Sequence, residues 1–475
     1  MSCEHASKIQ IVFNAWREMK FKHISRLGIE IIAILDSHLP LQQYDKQEDV
    51  VLSLAIYTSP SDPWTNSAAF QNATALLQKY HHAATEPAVL VEHILRDQMR
   101  PLFLHSATPA VTPAGRKAMT PMRRAHEDIT SETVSKAWKH SRIYMLTVLR
   151  WALSNLNAKD IESNWPLLIP PILTLLDDTA APMKAKGCAL LTELLSRTSP
   201  SLLARTGLGS VMHDALMPCL LYLPPLTPVD ESIGLLDAAY PALIVLSRIQ
   251  YPSTPPHPPI SSTTRTRTGS QNELSTTPPR IRSLMEIYHT GLLPGHAHCV
   301  ETPSMLTALL SHAVPLVSEM GVHSVVLLPT IMPLLAGILA DPFATASPRL
   351  ILGAATAMRG VMVSAWPRVC FWKEEVLRGV LVARVRIARD LDDHEDEDGE
   401  DSEGKEEEEE GDSGVRGRIT LVLRDILRLL RAIATSFSSK EEGGIKEKDL
   451  LGVELHDLVA AHPLLIRDQA LLLGP

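Results

Sequence analysis

Apolar residues recur every three or four positions along most of the chain. In SKAWKHSRIYMLTVLRWALSNL, residues 135–156, Leu146, Leu149 and Leu153 share one broad face of a helix. The segment EPAVLVEHILRDQMRPLF, residues 86–103, repeats this spacing. Strand-type alternation of apolar and polar residues is nearly absent. The pattern therefore predicts an all-α protein.

Two stretches share a further pattern, which we interpret as a repeat. Each has a proline inside an apolar helix, an acid eight residues later at a turn, and a basic residue that opens a second helix rich in small residues. The first copy contains NWPLLIPPILTLLDD, residues 164–178. The matched positions are Pro170, Asp178 and Lys184 in the first copy and Pro333, Asp341 and Arg349 in the second.

This order of features is typical of HEAT-type repeats, which have about 40 residues per unit. The proline removes a backbone hydrogen bond and bends the first helix. The acid either caps free N–H groups of the second helix or pairs with the basic residue of its repeat. Each unit buries its apolar face only against its neighbours. We therefore predict an α-solenoid of degenerate HEAT-like repeats with disordered insertions.

Three stretches interrupt the helical pattern. Residues 106–124 are rich in Pro, Gly, Thr and basic residues and predict a loop. Low complexity and a run of acids predict disorder in the other two. The predicted organisation is an N-terminal helical region at 1–120, HEAT-like repeats at 121–250, a disordered insertion rich in Pro, Ser and Thr at 251–280, HEAT-like repeats at 281–389, an acidic disordered loop at 390–416 and C-terminal helices at 417–475.

Composition and charge support this organisation. Hydrophobic residues make up 45% of the chain and aromatic residues only 5%, which favours packed helices over a sheet sandwich. The net charge of −9 is local, because residues 390–412 hold 16 acids and one base. The remainder, with 44 basic and 38 acidic residues, is mildly basic. It has no basic cluster interleaved with aromatic residues, so we expect no binding to nucleic acid.

The chain carries no recognised motif for catalysis or for a cofactor. GxGxxG, GxxxxGK[ST] and GxSxG are all missing, so we predict that the protein is not an enzyme and has no cofactor. The segment HTGLLPGHAHC, residues 289–299, groups three histidines and a cysteine, but in no common zinc spacing. We interpret it as a helix hairpin with incidental histidines and predict no metal site.

The five cysteines lie far apart and form no CxxC pair, which indicates a reducing compartment. The first 16 residues do not resemble a signal peptide. The most apolar run, residues 325–340, is shorter than the roughly 20 residues that span a bilayer. We therefore expect a soluble intracellular protein that does not bind a membrane.

A few residues are candidates for partner binding, each with a structural alternative. Lys186, like Lys184, could bind an acidic partner or pair with the acids at 177–178. Trp165 and Trp366 each precede a proline and either pack in the repeat core or form an exposed contact. The basic loop offers Arg116 and Lys117, and the acidic run is either a solvated linker or a docking segment.

Several ordered blocks resemble the fungal Tel-Two-Interacting protein Two family. They are NWPLLIPPILTLLDD, the block from KAKGCALLTELL to LPPLTPVDES, LLPTIMPLLAGILADPFATASPRLILGAATAMRGVMVSAWPRV and ILRDQMRPLFLHSATPAVTPAGRKAM. The resemblance covers about residues 86–372. Residues 251–280 fall between the matching blocks, and both they and the acidic run have the character of insertions.

The resemblance implies a non-enzymatic, HEAT-like scaffold subunit of the Triple-T co-chaperone complex. Its implied partners are Tel-Two-Interacting protein One, the Tel Two subunit, the phosphatidylinositol-kinase-related kinases and the heat-shock-ninety chaperone machinery. It also implies roles in telomere maintenance, checkpoint signalling and growth control, with cytoplasmic and nuclear localisation. The alternative is a karyopherin-like transport receptor or another helical-repeat adaptor, although the chain is about half the length expected of a karyopherin.

Overall fold

The computed structural model describes residues 47–103, 110–119, 138–252, 277–397 and 406–438. Within these ranges the chain is almost entirely helical and has no β-strand, apart from one isolated bridge between Val111 and Lys117. The helices pack against nearby helices of the same unit, as in HEAT-like arrays. The predicted all-α, helical-repeat fold class is confirmed.

The chain divides into two compact units, residues 1–216 and 217–475. In the first unit, the apolar faces of the helices enclose a core that includes Leu149, Leu168 and Leu191. A π-helix at Ala88–Met99 lies among them. The α-helices are α1 Gln47–Ala55, α2 Ser67–Lys79, α3 His81–Ala84, α4 Arg100–Phe103, α5 Trp138–Ser141, α6 Met145–Asn155, α7 Ala158–Ser163, α8 Trp165–Leu176, α9 Ala181–Ser196, α10 Pro200–Thr206 and α11 Leu208–Leu216.

The second unit also contains short 3-10 and π segments, at Met217–Leu221, Tyr288–Leu292, Gly321–Leu327, Ala344–Ala346 and Cys370–Trp372. Its core is apolar and includes Leu236, Leu316 and Met358. The α-helices are α12 Val229–Gln250, α13 Pro279–Ile287, α14 Leu293–His298, α15 Pro303–Met320, α16 Leu328–Leu339, α17 Pro348–Ser364, α18 Trp366–Val369, α19 Lys373–Glu397 and α20 Glu406–Ser438.

Local sequence sets several helix ends. Asn66, Asn157 and Ser199 each accept a hydrogen bond from an N–H in the first turn of the following helix. Gly207 ends α10 with φ +68°, a left-handed conformation that glycine adopts without steric cost. These caps satisfy backbone groups that the helix itself leaves unpaired.

The predicted prolines lie inside helices. Pro166 is the second residue of α8, where its missing N–H would have no helical partner. Pro170 and Pro171 follow within the same helix, and Pro333 lies inside α16. Pro170 and Pro171 have no N–H to donate to the carbonyls of Pro166 and Leu167. Two helical hydrogen bonds are therefore missing, both in the first turns of α8.

The acidic disordered loop at 390–416 stays a prediction, and its described residues lie at the ends of two helices. Residues 390–397 continue α19, and residues 406–416 begin α20. Glutamate is a good helix former, and the acids at the start of α20 interact favourably with the helix dipole.

Other predicted regions fall outside the described ranges. These are residues 1–46 and 120 of the N-terminal region, 121–137 of the first repeat region, 253–276 of the insertion, 398–405 of the acidic run and 439–475 of the C-terminal region. Residues 106–109 and 120–124 of the predicted basic loop also lie outside them, as do 104–105, whereas 110–119 of that loop are described.

Two helical stretches among the described residues are long and apolar enough to cross a membrane by length and composition. They are Val229–Gln250 and Pro303–Leu339, and a bent pair from Pro348 to Arg389 meets the same criterion jointly. Residues 325–339 belong to the longer apolar stretch Pro303–Leu339, so the shortness of the run 325–340 does not exclude a membrane span. About half of the most apolar window of each stretch is buried inside the protein.

Candidate interaction site

The first repeat turn is built around a buried carboxylate. Asp178 follows α8 directly and is 1% exposed. Its Oδ1 accepts a hydrogen bond from the N–H of Ala180, 2.9 Å away, and its Oδ2 forms an ion pair with Lys139 of α5. This bond closes a turn that leads into α9, and no side chain caps the first turn of α9 itself. The ion-pair partner, however, comes from an earlier helix and not from the same repeat.

The predicted basic residues of this copy contact neighbouring elements of the first unit. Lys184 is 7% exposed, and its ammonium donates to the carbonyl oxygen of Leu176 at the end of α8. Lys186 forms an ion pair with Asp62, at 3.2 Å, and lies over the ring of Trp64. Both lysines thus connect α9 to neighbouring elements of the first unit.

The second repeat turn has the same local hydrogen bond in a different environment. Asp341 is exposed, and its Oδ1 accepts from the N–H of Phe343 at 2.9 Å. Arg349 is also exposed. Within the described ranges, neither residue takes part in an ion pair. Instead, Arg386 of α19 donates to the carbonyl oxygen of Ala340 at the end of α16.

Part of the predicted basic loop is an ordered hairpin, residues 110–119. The N–H of Thr112 donates to the carbonyl of Arg116, and the N–H of Ala118 donates to that of Ala110. Gly115 turns the chain with φ +67°. A Cβ at this glycine would lie 2.9 Å from Trp165 Cδ1, so both the backbone angle and the space require glycine.

Helices of the first unit hold this hairpin in place. The Trp165 indole Nε1 donates to the Gly115 carbonyl oxygen at 3.1 Å. The backbone N–H of Lys117 donates to the Thr206 carbonyl, and its ammonium donates to Ser210 Oγ at 2.6 Å. Trp165 is 2% exposed, so the core-packing interpretation is right for this residue. The structure therefore joins three predicted candidates, the tryptophan and the two basic residues, in one place.

The hairpin presents a mixed basic and apolar edge to solvent. Arg116 is exposed, and within the described part of the chain its guanidinium forms no ion pair. Met119 is fully exposed. An arginine can grip a carboxylate with two parallel hydrogen bonds, and a methionine adapts to irregular apolar surfaces. This edge suits an acidic peptide segment that carries an apolar side chain.

Trp366 differs from Trp165, although both begin a short tryptophan–proline motif. Trp366 is the first residue of α18 and is 46% exposed. Phe371, five residues later, is exposed and lies against the guanidinium of Arg368, which is 5.5 Å from the ring centroid. The core-packing interpretation that suited Trp165 is therefore wrong for Trp366, which contributes to a surface.

The histidine-rich segment packs as helical structure in the second unit. It covers the π-helix Tyr288–Leu292 and α14. Burial lowers the pKa of His296 and raises the pKa of the Cys299 thiol. In the described ranges, no group of three or more His, Cys, Asp or Glu side chains is placed to hold a metal ion.

Sequence reasoning did not identify the residues that complete the two turns. Lys139 and Asp62 are far in sequence from their partners Asp178 and Lys186. Arg386 reaches back 46 positions to Ala340. No periodicity in one sequence specifies such long-range pairs, so only the local half of each turn was predictable.

A family model described as the Tti2 family matches residues 50–346, which include the anchored hairpin and both repeat turns. No solved structure matches the chain.

Proposed function

Because this chain belongs to the Tti2 family, the Tel-Two-Interacting protein Two family, we propose that it is a scaffold subunit of the Triple-T (TTT) complex. The family match over residues 50–346 is the observation that carries this proposal. Stacked helices present large surfaces for other proteins, which suits a scaffold. The protein acts by binding and not by catalysis, in keeping with the missing catalytic motifs.

The proposed partners are Tel-Two-Interacting protein One and the Tel Two subunit. Through them, the protein supports the maturation and stability of the phosphatidylinositol-kinase-related kinases with the heat-shock-ninety chaperone machinery. Telomere maintenance, checkpoint signalling and growth through the TOR kinase follow from those clients. The complex works in the cytoplasm and the nucleus, without a membrane or nucleic acid as partner.

Depletion of the protein tests this proposal. A degron-tagged chain should co-purify with two larger helical-repeat proteins, and its depletion should lower the protein levels of the kinases while their transcripts stay constant. Unchanged kinase levels would refute the role in kinase stability. Binding to a GTP-loaded small GTPase would instead favour a karyopherin-like receptor.

The hairpin gives a residue-level test of the scaffold role. Replacing Arg116 by Glu and Met119 by Asp reverses the charge and polarity of the exposed edge without touching Trp165. We expect weaker co-purification of the partner proteins and unchanged helical content by circular dichroism. Leu226→Asp is the matched control, because Leu226 is 96% exposed in the other unit. Equal co-purification of both variants would place the contact elsewhere.

A further inference from the structure

The helices α19 and α20 form a layer over α16 and α17 in the second unit. The helix α19 packs on α16, α20 packs on α17, and α19 and α20 also contact each other. Buried apolar residues such as Ile387 of α19 and Leu423 of α20 recur at helical spacing, so the opposite side of each helix faces away from α16 and α17. We call these two opposite sides the outer face, and its residues include Arg378, Leu381, Val382 and Val385 of α19 and Arg418, Leu421, Arg424 and Arg428 of α20.

The two helices that carry the outer face are strongly basic. Residues 376–389 of α19 and 414–438 of α20 contain nine arginines and a single acid, Asp425. This acid forms an ion pair with Arg359 of α17 at 3.5 Å, so it does not compensate the arginines of the outer face. Two glutamates lie in the first turn of α19, where acids interact favourably with the helix dipole. The outer face therefore has an excess of positive charge.

Four arginines of the outer face lack an acidic partner among the described residues. Arg378, Arg418 and Arg428 are exposed, and none of them forms an ion pair in this part of the chain. Arg424 is half-buried, and its Nε is buried with no hydrogen-bond partner in the described ranges. A partly desolvated guanidinium attracts a carboxylate strongly, and an arginine can hold both carboxylate oxygens with parallel hydrogen bonds. The partner that suits these arginines carries carboxylates.

Aliphatic side chains lie among the arginines. Leu421 is 49% exposed and follows Arg418 by about one turn of α20. Leu381, Val382 and Val385 of α19 are half-buried. A nucleic acid would leave these aliphatic groups without apolar contacts, because it is bound through charge, hydrogen bonds and stacking. A protein segment with apolar side chains between its acids complements both the charge and the apolar part of the outer face.

We propose that the outer face binds an acidic amphipathic helix of a partner protein. In a helical array each layer packs on the next through helix faces, and a partner helix laid on α19 and α20 continues this packing. Its apolar stripe covers Leu421, Val382 and Val385, and the acids beside the stripe pair with the four arginines. The inference rests on the proposed scaffold role and adds to it a surface and the chemistry of its partner.

Fluorescence anisotropy of a labelled peptide with the purified full chain tests this inference. The probe is a helical peptide of leucine, glutamate and alanine whose leucines form one stripe flanked by glutamates. We expect saturable binding that weakens as salt is raised, because salt screens exposed charges. A peptide of the same composition, reordered so that no leucine stripe forms, should bind about tenfold more weakly, since it offers charge without an apolar face.

Charge reversal locates the binding surface. Arg378→Glu combined with Arg428→Glu should weaken binding of the striped peptide about tenfold, since repulsion replaces attraction at two positions. Arg378→Gln combined with Arg428→Gln should give a smaller loss. The matched control is Arg150→Glu combined with Arg282→Glu, which changes the net charge equally at exposed arginines of α6 and α13 and should bind like the wild type. Circular dichroism should show unchanged helical content in every variant.

Each other outcome overturns the inference. Equal binding by the two charge-reversed variants, or no binding by the wild type, would show that the outer face does not hold the peptide. Equal binding of both peptides would show a contact through charge alone. Tighter binding of duplex DNA, or of vesicles of equal parts phosphatidylcholine and phosphatidylserine, would assign the face to a nucleic acid or a membrane. Kinase levels after depletion test the scaffold role separately, so the two failures are distinguishable.

Discussion

Asp178 and Asp341 occupy the same position in two copies of one helix–turn–helix pattern. In both, Oδ1 accepts a hydrogen bond at 2.9 Å from the N–H two residues further along the chain. Asp178 is nevertheless buried and paired with Lys139, whereas Asp341 is exposed. The local geometry of the turn is thus set by the sequence pattern, and its surroundings are set by packing.

The two copies also differ in which helix closes over the turn. In the first copy, α9 places Gly187 so that a Cβ would lie 2.9 Å from Leu175 Cβ of α8. In the second copy, a Cβ placed on the corresponding Gly353 of α17 would lie no closer than 3.8 Å to a neighbouring atom. The close approach to α16 is made by Gly379 of α19, where a Cβ would lie 3.1 Å from Ala336 Cα.

The helix α19 therefore takes in the second copy the role that α9 has in the first. It supplies both the glycine of the close approach and the basic residue, Arg386, that binds the carbonyl at the end of α16. In the first copy, Gly187 and Lys184 of α9 provide these two contacts. The same physical requirements are met in both units, but by helices at different distances along the chain.

The largest contrast is expected at the two aspartates. Removing one partner of a buried ion pair typically costs about 3–5 kcal/mol. Because Lys139 keeps 21% of its side chain exposed, we expect Asp178→Ala to cost about 3 kcal/mol, at the lower end of this range. Asp341→Ala loses one exposed turn hydrogen bond and should cost about 1 kcal/mol or less. Native-state hydrogen exchange of peptides spanning each turn measures the two local opening free energies.

A similar loss at both turns would contradict the assigned difference in environment. Asp178→Asn provides a further control, since it retains an oxygen for the Ala180 N–H and removes only the charge. Its effect should fall between those of the wild type and Asp178→Ala.

The sequence was sufficient to predict the fold class and the local parts of each turn. Helical periodicity, the prolines inside α8 and α16 and the acid after each helix are properties of short segments. The small residues of the second helix did not specify the close approach, since Gly187 makes one and Gly353 does not. The partners Lys139 and Arg386 were not predictable either, because their contacts join segments 39 and 46 residues apart.

The two tryptophans show the same limit for the candidate site. Trp165 and Trp366 have nearly identical local motifs, each followed by proline, and each begins a helix. One donates to the hairpin carbonyl of Gly115 and is buried, while the other is half-exposed. A hairpin 50 residues earlier in the chain makes this difference. Local sequence therefore identified Arg116, Lys117 and Trp165 separately but not their association.

An intermediate contrast is expected at the basic residues. A hydrogen bond from a charged donor contributes roughly 1.5–3 kcal/mol, so Lys184→Met, which keeps the length of the apolar stem, should cost about 2 kcal/mol. Arg349→Met should stay within about 0.5 kcal/mol of the wild type, as is usual for exposed positions. Arg386→Met should resemble Lys184→Met, because it also frees a helix-terminal carbonyl. Urea denaturation measures the free energy of unfolding of the three variants. Hydrogen exchange at residues 165–176 and 328–339 shows which of the two helices each variant affects.

If Arg349→Met were the costly variant in the second unit, the assignment of the basic role to α19 would be wrong. The decisive result is that Arg386→Met destabilises the protein more than Arg349→Met does. This order does not depend on the absolute free energies of unfolding.

The smallest contrast is expected at the glycines. It is also the most discriminating, because Gly→Ala should stabilise the protein at one position and destabilise it at the others. In a helix, Gly→Ala gains about 0.5–1 kcal/mol from reduced backbone entropy in the unfolded chain. At Gly353 the new methyl group meets only ordinary contacts, so Gly353→Ala should stabilise the protein by about that amount. At Gly187 and Gly379 it would press on the neighbouring helix, and overpacking costs about 1–3 kcal/mol. We therefore expect Gly187→Ala and Gly379→Ala to destabilise by about 1 kcal/mol, measured as the urea midpoint at constant slope. If Gly379→Ala stabilised the protein and Gly353→Ala destabilised it, the close approach to α16 would be made by α17, the next helix in the sequence. The two copies would then be packed alike.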